Sequence, residues 1–125
     1  MPRPQAKSLL VCEHAGVLLK YTEILNVAGF FQVTPCSNFH EARDLIWQKK
    51  RFDYLFYDGF NCASNQRREL LMLRECVAKV VLFAELSKEE VLMVSKWAEC
   101  KGISILGVFP RPIKVRQVLK ASRLW

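Results

Sequence analysis

Apolar and polar positions along the chain fall into two alternating patterns. Short, nearly continuous apolar runs occur at residues 8–13 (SLLVCE), 30–36 (FFQVTPC), 53–58 (DYLFYD), 79–85 (KVVLFAE) and 104–109 (SILGVF). Runs of this length and composition predict strands buried on both faces. The segments between them carry helical spacing instead. Val17, Leu18, Tyr21, Ile24, Leu25 and Ala28 recur along one face, and Gly29 follows as a stop. Asn38 with Glu41 reads as a capping box ahead of a stripe of Phe39, Ala42, Leu45 and Ile46. A polar loop, GFNCASNQ, precedes helical composition at residues 67–76. Residues 88–101 form a helix closed by Gly102. Pro110 and Pro112 break the chain before a last helix in KVRQVLKASRL.

The order is strand then helix, five times over. That alternation predicts an α/β fold, a parallel five-stranded sheet with helices on both faces. Parallel strands need right-handed helical crossovers, and the flavodoxin-like order 2-1-3-4-5 leads at this size. Residues 1–7 read as a tail and 8–125 as one domain. In such folds ligands sit beyond the carboxyl ends of the strands, near the switch point. Glu13 and His14 follow strand 1, Asp58 ends strand 3, and the fold makes those ends neighbours. Asp58 is then either a helix-capping acid or a carboxylate held at the mouth of a site, and the topology brings it to a shared rim.

Composition narrows the function classes. At 125 residues and 51% hydrophobic the chain is long enough to bury a real core as a single domain. Its net charge of +7 is concentrated between Arg111 and Trp125, where five bases meet no acid. That stretch could meet an anionic partner, but a solvated helix face is the ordinary account. No helix-turn-helix or stacking motif accompanies it, which argues against nucleic acid as the partner. The five cysteines are widely spaced and odd in number, as expected for free thiols in a reducing, cytoplasmic setting. A zinc set of Cys12, His14, Cys36 and His40 has no recognised spacing. No run approaches a membrane span. Without a Gly-rich phosphate loop, a Cys/His dyad or a spaced carboxylate pair, an enzyme is not expected.

With these elements in place, the chain from about Ser8 onward resembles a response-regulator receiver domain. VCEH stands at the family's acidic pair, YDGF at its phosphoacceptor aspartate, LFAE at its Ser/Thr and PRPIK at its Lys-Pro. The resemblance implies a phosphoacceptor role for Asp58, with Glu13 and His14 as the acidic pocket and Phe83, Ala84, Arg111 and Pro112 as switch positions. It also implies Mg²⁺ held in part by Glu13 and Asp58. The departures are chemical. Mg²⁺ wants oxygen ligands, whereas His14 offers an imidazole that suits Zn or Cu. Neither Phe83 nor Ala84, whichever takes the Ser/Thr place, has a hydroxyl. Arg111 keeps the charge of the family lysine but not its geometry. It reads either as a fixed cation that neutralises Asp58 in place of a metal or as a solvated arginine between two prolines. The interval from Phe83 to Arg111 is also longer than in common receivers, and its layout is similar to receivers that precede EAL-type cyclic-di-GMP phosphodiesterase domains. On that likeness the chain reads as the N-terminal part of a longer protein.

Residues 88–101 carry two apolar stripes. Val91, Val94 and Ala98 would pack on the sheet, leaving Met93, Trp97 and Cys100 as a surplus face. In receivers the surface of the fourth helix, fifth strand and fifth helix serves for dimerisation or output. The expectation is an atypical receiver-like signalling domain that docks through this face to an output domain, a partner protein or a second copy. Ordinary Mg-dependent aspartyl phosphorylation from a histidine kinase is the alternative, and a basic nucleic-acid-binding domain the second alternative.

Overall fold

The computed structural model describes residues 5–125. Five strands and five helices alternate: β1 (Lys7–Val11), α1 (Ala15–Val27), β2 (Gln32–Cys36), α2 (Phe39–Trp47), β3 (Phe52–Asp58), α3 (Ser64–Leu73), β4 (Val77–Phe83), α4 (Lys88–Cys100), β5 (Ile105–Phe109) and α5 (Val115–Ser122). All neighbouring strands pair in parallel, in the order β2-β1-β3-β4-β5. This is the flavodoxin-like arrangement expected from the alternation. The single proline within a strand, Pro35, lies on β2 at the sheet edge, where a missing ladder donor is tolerated.

Each face of the sheet has its own core. On one side Ala42 of α2, Leu70 and Leu73 of α3, and Val94 and Ala98 of α4 pack with Leu9, Leu55, Val80 and Leu82. On the other, Tyr21, Ile24 and Leu25 of α1 and Val118 of α5 cover Leu10, Phe56, Val81 and Phe83. Because β1, β3 and β4 send side chains into both cores, they read as continuous apolar runs instead of alternating ones. The α1/α5 side holds an aromatic cluster. Trp125 lies 5.9–6.3 Å, ring centre to ring centre, from Phe30, Tyr54, Phe56 and Phe109.

Several element boundaries differ from the sequence expectation, each for a local reason. Helix α3 starts at Ser64, inside the segment expected as loop, because Asn61 and Gln66 organise its entry. The Asn61 side chain accepts from the Ala63 amide, and the Gln66 side chain accepts from the Asn61 amide. At α2 the Asn38 side chain does accept from the Glu41 amide, but Glu41 reaches back to the Ser37 amide and hydroxyl. The reciprocal capping box forms at α4 instead, between Ser87 and Glu90. Ordered structure also begins earlier than Ser8. Ala6 is buried in the α1/α5 core and Lys7 opens β1, while residues 1–4 of the expected tail lie outside the described residues.

Candidate functional site

The carboxyl ends of β1 and β3 meet the loop after β5, as the topology requires. Asp58 closes β3 and is buried, its side chain 2% exposed. Arg111 reaches it from the β5–α5 loop, with Nη1 3.6 Å from Asp58 Oδ2. That loop is held in turn by the Arg111 amide, which donates to Glu85 Oε1 at 3.1 Å, and the Arg111–Pro112 peptide is cis. Glu13, His14, Asp58 and Arg111 line one cavity of about 200 Å³, together with Tyr57, Gln66 and Glu69. The residues singled out in the sequence at this rim are therefore brought together.

The Arg111–Asp58 pair is one of the two readings the sequence left open for Arg111, whereas the contact with Cys12 was not foreseen. The nearest side chain to Asp58 from β1 is Cys12, one residue before the expected acidic pair. Cys12 Sγ lies 3.5 Å from Asp58 Oδ2 and 3.7 Å from the His14 carbonyl oxygen, so its single proton serves one acceptor at a time. Cys12 is fully buried, and burial pushes its thiol up to about 11, with the Asp58 carboxylate adding to the rise. It is neutral at neutral pH and acts as a weak donor to the carboxylate. Glu13 and His14 make no hydrogen bond or ion pair to Asp58 among the described residues. His14 still acts to lower the Asp58 carboxyl, whereas Glu13 acts to raise Tyr57 and Glu69. The Tyr57 hydroxyl donates to Glu69 Oε2 at 3.4 Å, and Gln66 Nε2 donates to the Gly59 carbonyl.

Burial raises the Asp58 carboxyl above its ordinary range, against the lowering effects of the Cys12 hydrogen bond, the Arg111 guanidinium and His14. Its second oxygen, Oδ1, is buried and has no hydrogen-bond partner among the described residues. A carboxylate in this state could accept one further donor. The cavity also holds the oxygen donors of Glu13, Tyr57, Gln66 and Glu69, while the His14 imidazole and the Arg111 guanidinium are not groups a hard cation such as Mg²⁺ prefers. No group of three or more His, Cys, Asp or Glu side chains among the described residues is placed to hold a metal ion.

The switch positions at the end of β4 are core residues. Phe83 is the register partner of Asp58 across the β3–β4 ladder and of Phe109 across β4–β5. Its ring stacks on Phe56 at 5.8 Å and meets Tyr21 edge-on at 5.3 Å. Ala84 is buried on the opposite side. Neither offers a hydroxyl to the cavity. On α4, Met93 is 68% exposed and Cys100 is also exposed. Trp97 is half-buried against the core that contains Ile103. Sequence reasoning passed over Cys12, Tyr57, Gln66 and Glu69. Cys12 could have been found by counting one residue back from Glu13, since the backbone ladder continues to it through its amide bond to the Cys36 carbonyl.

No protein-family model matches the chain, and no curated protein matches it either. Solved structures do. A putative pilus assembly-related protein of Burkholderia pseudomallei superposes with a TM-score of 0.77 at 18% identity, over 99% of this chain and 91% of that one. A response regulator of Thermotoga maritima gives 0.71 at 18% identity, over 95% and 96%. A chemotaxis protein of Vibrio cholerae gives 0.70 at 19% identity, over 95% and 97%. At these identities the likeness is one of fold. The chain has the receiver fold of two-component response regulators. Among the described residues no helix is long and apolar enough to cross a membrane.

Proposed function

We propose that this chain is an atypical receiver-like domain that regulates by protein–protein contact and does not run the Mg-dependent aspartyl phosphorylation cycle. One observation carries the reading. Asp58 already has its counter-charge, the Arg111 guanidinium at 3.6 Å, where the phosphorylation cycle would call for a metal ion. The hydroxyl that would receive a phosphoryl oxygen is replaced by Phe83 and Ala84, both buried in the cores. A receiver is a two-state element whose balance follows the charge at this pocket. With the charge supplied by an arginine of the same chain, the balance is set internally and read by a partner.

The docking surface in this reading is the face of α4, β5 and α5. Met93 and Leu92 are exposed there, and Trp97 and Cys100 continue the same helix. The occupant is an output domain, a partner protein or a second copy. The spacing shared with receivers ahead of EAL-type domains makes such a domain one candidate. The setting is cytoplasmic, and the domain itself performs no catalysis.

A second reading keeps Asp58 as a working phosphoacceptor supplied by a histidine kinase. The orphaned Oδ1 favours it, being the one buried acceptor in the site with room for a new bond. Intact mass after incubation with a small phosphodonor and Mg²⁺, with Asp58→Asn as control, separates the two. No adduct, with the donor active on an ordinary receiver, supports the phosphate-independent module. A phosphoryl adduct absent from the Asp58→Asn protein overturns it.

A further inference from the structure

The opposite end of the sheet carries a second and larger cleft, of about 600 Å³, under the carboxyl end of α2. Four cations converge on it from two parts of the chain. Lys7 opens β1, and Lys49, Lys50 and Arg51 are consecutive in the loop between α2 and β3. None of its lining residues is acidic, and none of the four makes an ion pair among the described residues. Between the cations Gln32 and Thr34 of β2 present polar side chains with no side-chain hydrogen bond among the described residues. Leu45 and Phe52, of the α2–α4 core, supply an apolar wall.

The backbone adds an independent sign. Lys49 has φ 60°, a left-handed conformation that glycine adopts freely and lysine does not. A helix exit normally places glycine there, so the sequence accepts strain to keep an amine at this point. The α2 carboxyl end attracts cations through its own dipole, which accounts for Lys49 and Lys50. It does not account for Lys7, which arrives from β1.

We infer that this cleft binds a small organic polyphosphate of nucleotide size. The volume lies within the range of small-molecule sites, about 300–1,000 Å³, and is far larger than a single phosphate needs. Four unpaired cations match a ligand carrying three or four negative charges. The Leu45 and Phe52 wall with the Gln32 and Thr34 side chains seats an organic group that has both apolar and hydrogen-bonding surface. The site lies on the far rim from Asp58, and the inference does not depend on the chemistry proposed there.

The test is a titration of the full chain with fluorescently labelled ATP at low ionic strength, read by anisotropy. Unlabelled ATP, inorganic tripolyphosphate and a single-stranded oligonucleotide serve as competitors. Saturable one-to-one binding is expected, displaced by ATP more strongly than by tripolyphosphate. Lys49→Gly removes the charge while relieving the backbone, so binding should weaken about fivefold with no fall in thermal midpoint. The Lys50→Ala, Arg51→Ala double variant should weaken it at least about tenfold. Arg68→Ala, an exposed cation on α3, should leave affinity within about twofold. Equal losses from Arg68→Ala and Lys49→Gly would mean diffuse attraction to a basic protein and overturn the site. So would an absence of saturation, or preferential displacement by the oligonucleotide. Equal competition by tripolyphosphate would overturn the seat for an organic group.

Discussion

Replacing Arg111 by alanine isolates the counter-charge at Asp58, and its effect can be worked from the geometry. Two unit charges 3.6 Å apart attract by about 1 kcal/mol in a water-like dielectric and by about 4–5 kcal/mol at an effective dielectric of 20. Asp58 is almost fully enclosed, but the Arg111 side chain is 38% exposed, so solvent screens the pair from one side. Ordering the long arginine side chain offsets part of the remainder. The net expectation is a loss of about 1–2 kcal/mol at neutral pH, or roughly 4–8 °C in thermal midpoint for a domain of this size. The loss should shrink at acid pH, as the buried carboxyl, whose affinity for protons is raised by burial, takes up its proton and no longer needs a cation. Circular-dichroism melts of the wild type, Arg111→Ala, Asp58→Asn and the double variant at both pH values form a mutant cycle. Arg111→Ala should be nearly neutral in the Asp58→Asn background. An equal loss with and without the Asp58 carboxylate would refute the pairing and leave Arg111 as a loop residue that happens to lie near.

Asp58 itself sets a pH dependence. Its folded carboxyl binds protons more tightly than the unfolded one, so its contribution to stability is present below the ordinary carboxylate range and is lost as pH rises through the raised folded value. Asp58→Asn should flatten that fall, which denaturant titrations at a series of pH values would read; an unchanged slope would place the effect on other groups. Phe83→Ala removes a ring packed against Phe56, Tyr21 and Phe109 and should cost about 3–5 kcal/mol, measured by urea unfolding. Thiol labelling of the native protein should modify Cys100 first, because it is exposed, while Cys12 and Cys36, buried and each pushed up to about 11, react only on unfolding. Rapid native labelling of Cys12, followed by mass spectrometry, would contradict the enclosed thiol–carboxylate contact.

The strands were legible because the fold buries them on both faces, which leaves an apolar run with little polar alternation to confuse it. The sheet order followed from parallel crossovers, and with it the meeting of Glu13, His14 and Asp58 at one rim. The α4 stripe of Val94 and Ala98 was readable from spacing alone, and both are buried as expected. The α3 start was not, since Ser64 to Gln66 has loop composition and is made helical by side chains reaching the backbone. The Arg111–Asp58 pair stood in the sequence only as one of two open readings of Arg111, the other being a solvated loop residue. It depends on where a loop 53 residues further along is pinned, and the pin is the Glu85 carboxylate on the Arg111 amide. Cys12 was hidden, because a cysteine in an apolar run looks like core packing.

The position of Trp125 orders events in time. The buried members of the α2–α4 core run no further along the chain than Ile103, with partly buried support up to Val108. The other core waits for Val118 and then for the Trp125 ring, which touches aromatic residues reaching back to Phe30. As the chain leaves the ribosome, one side of the sheet can therefore close while the other still exposes Phe30, Tyr54 and Phe56. Contacts spanning so much sequence are slow to form, and until they do this aromatic surface is open to wrong partners. The half-made domain is most in need of a chaperone during the synthesis of its last fifteen or so residues.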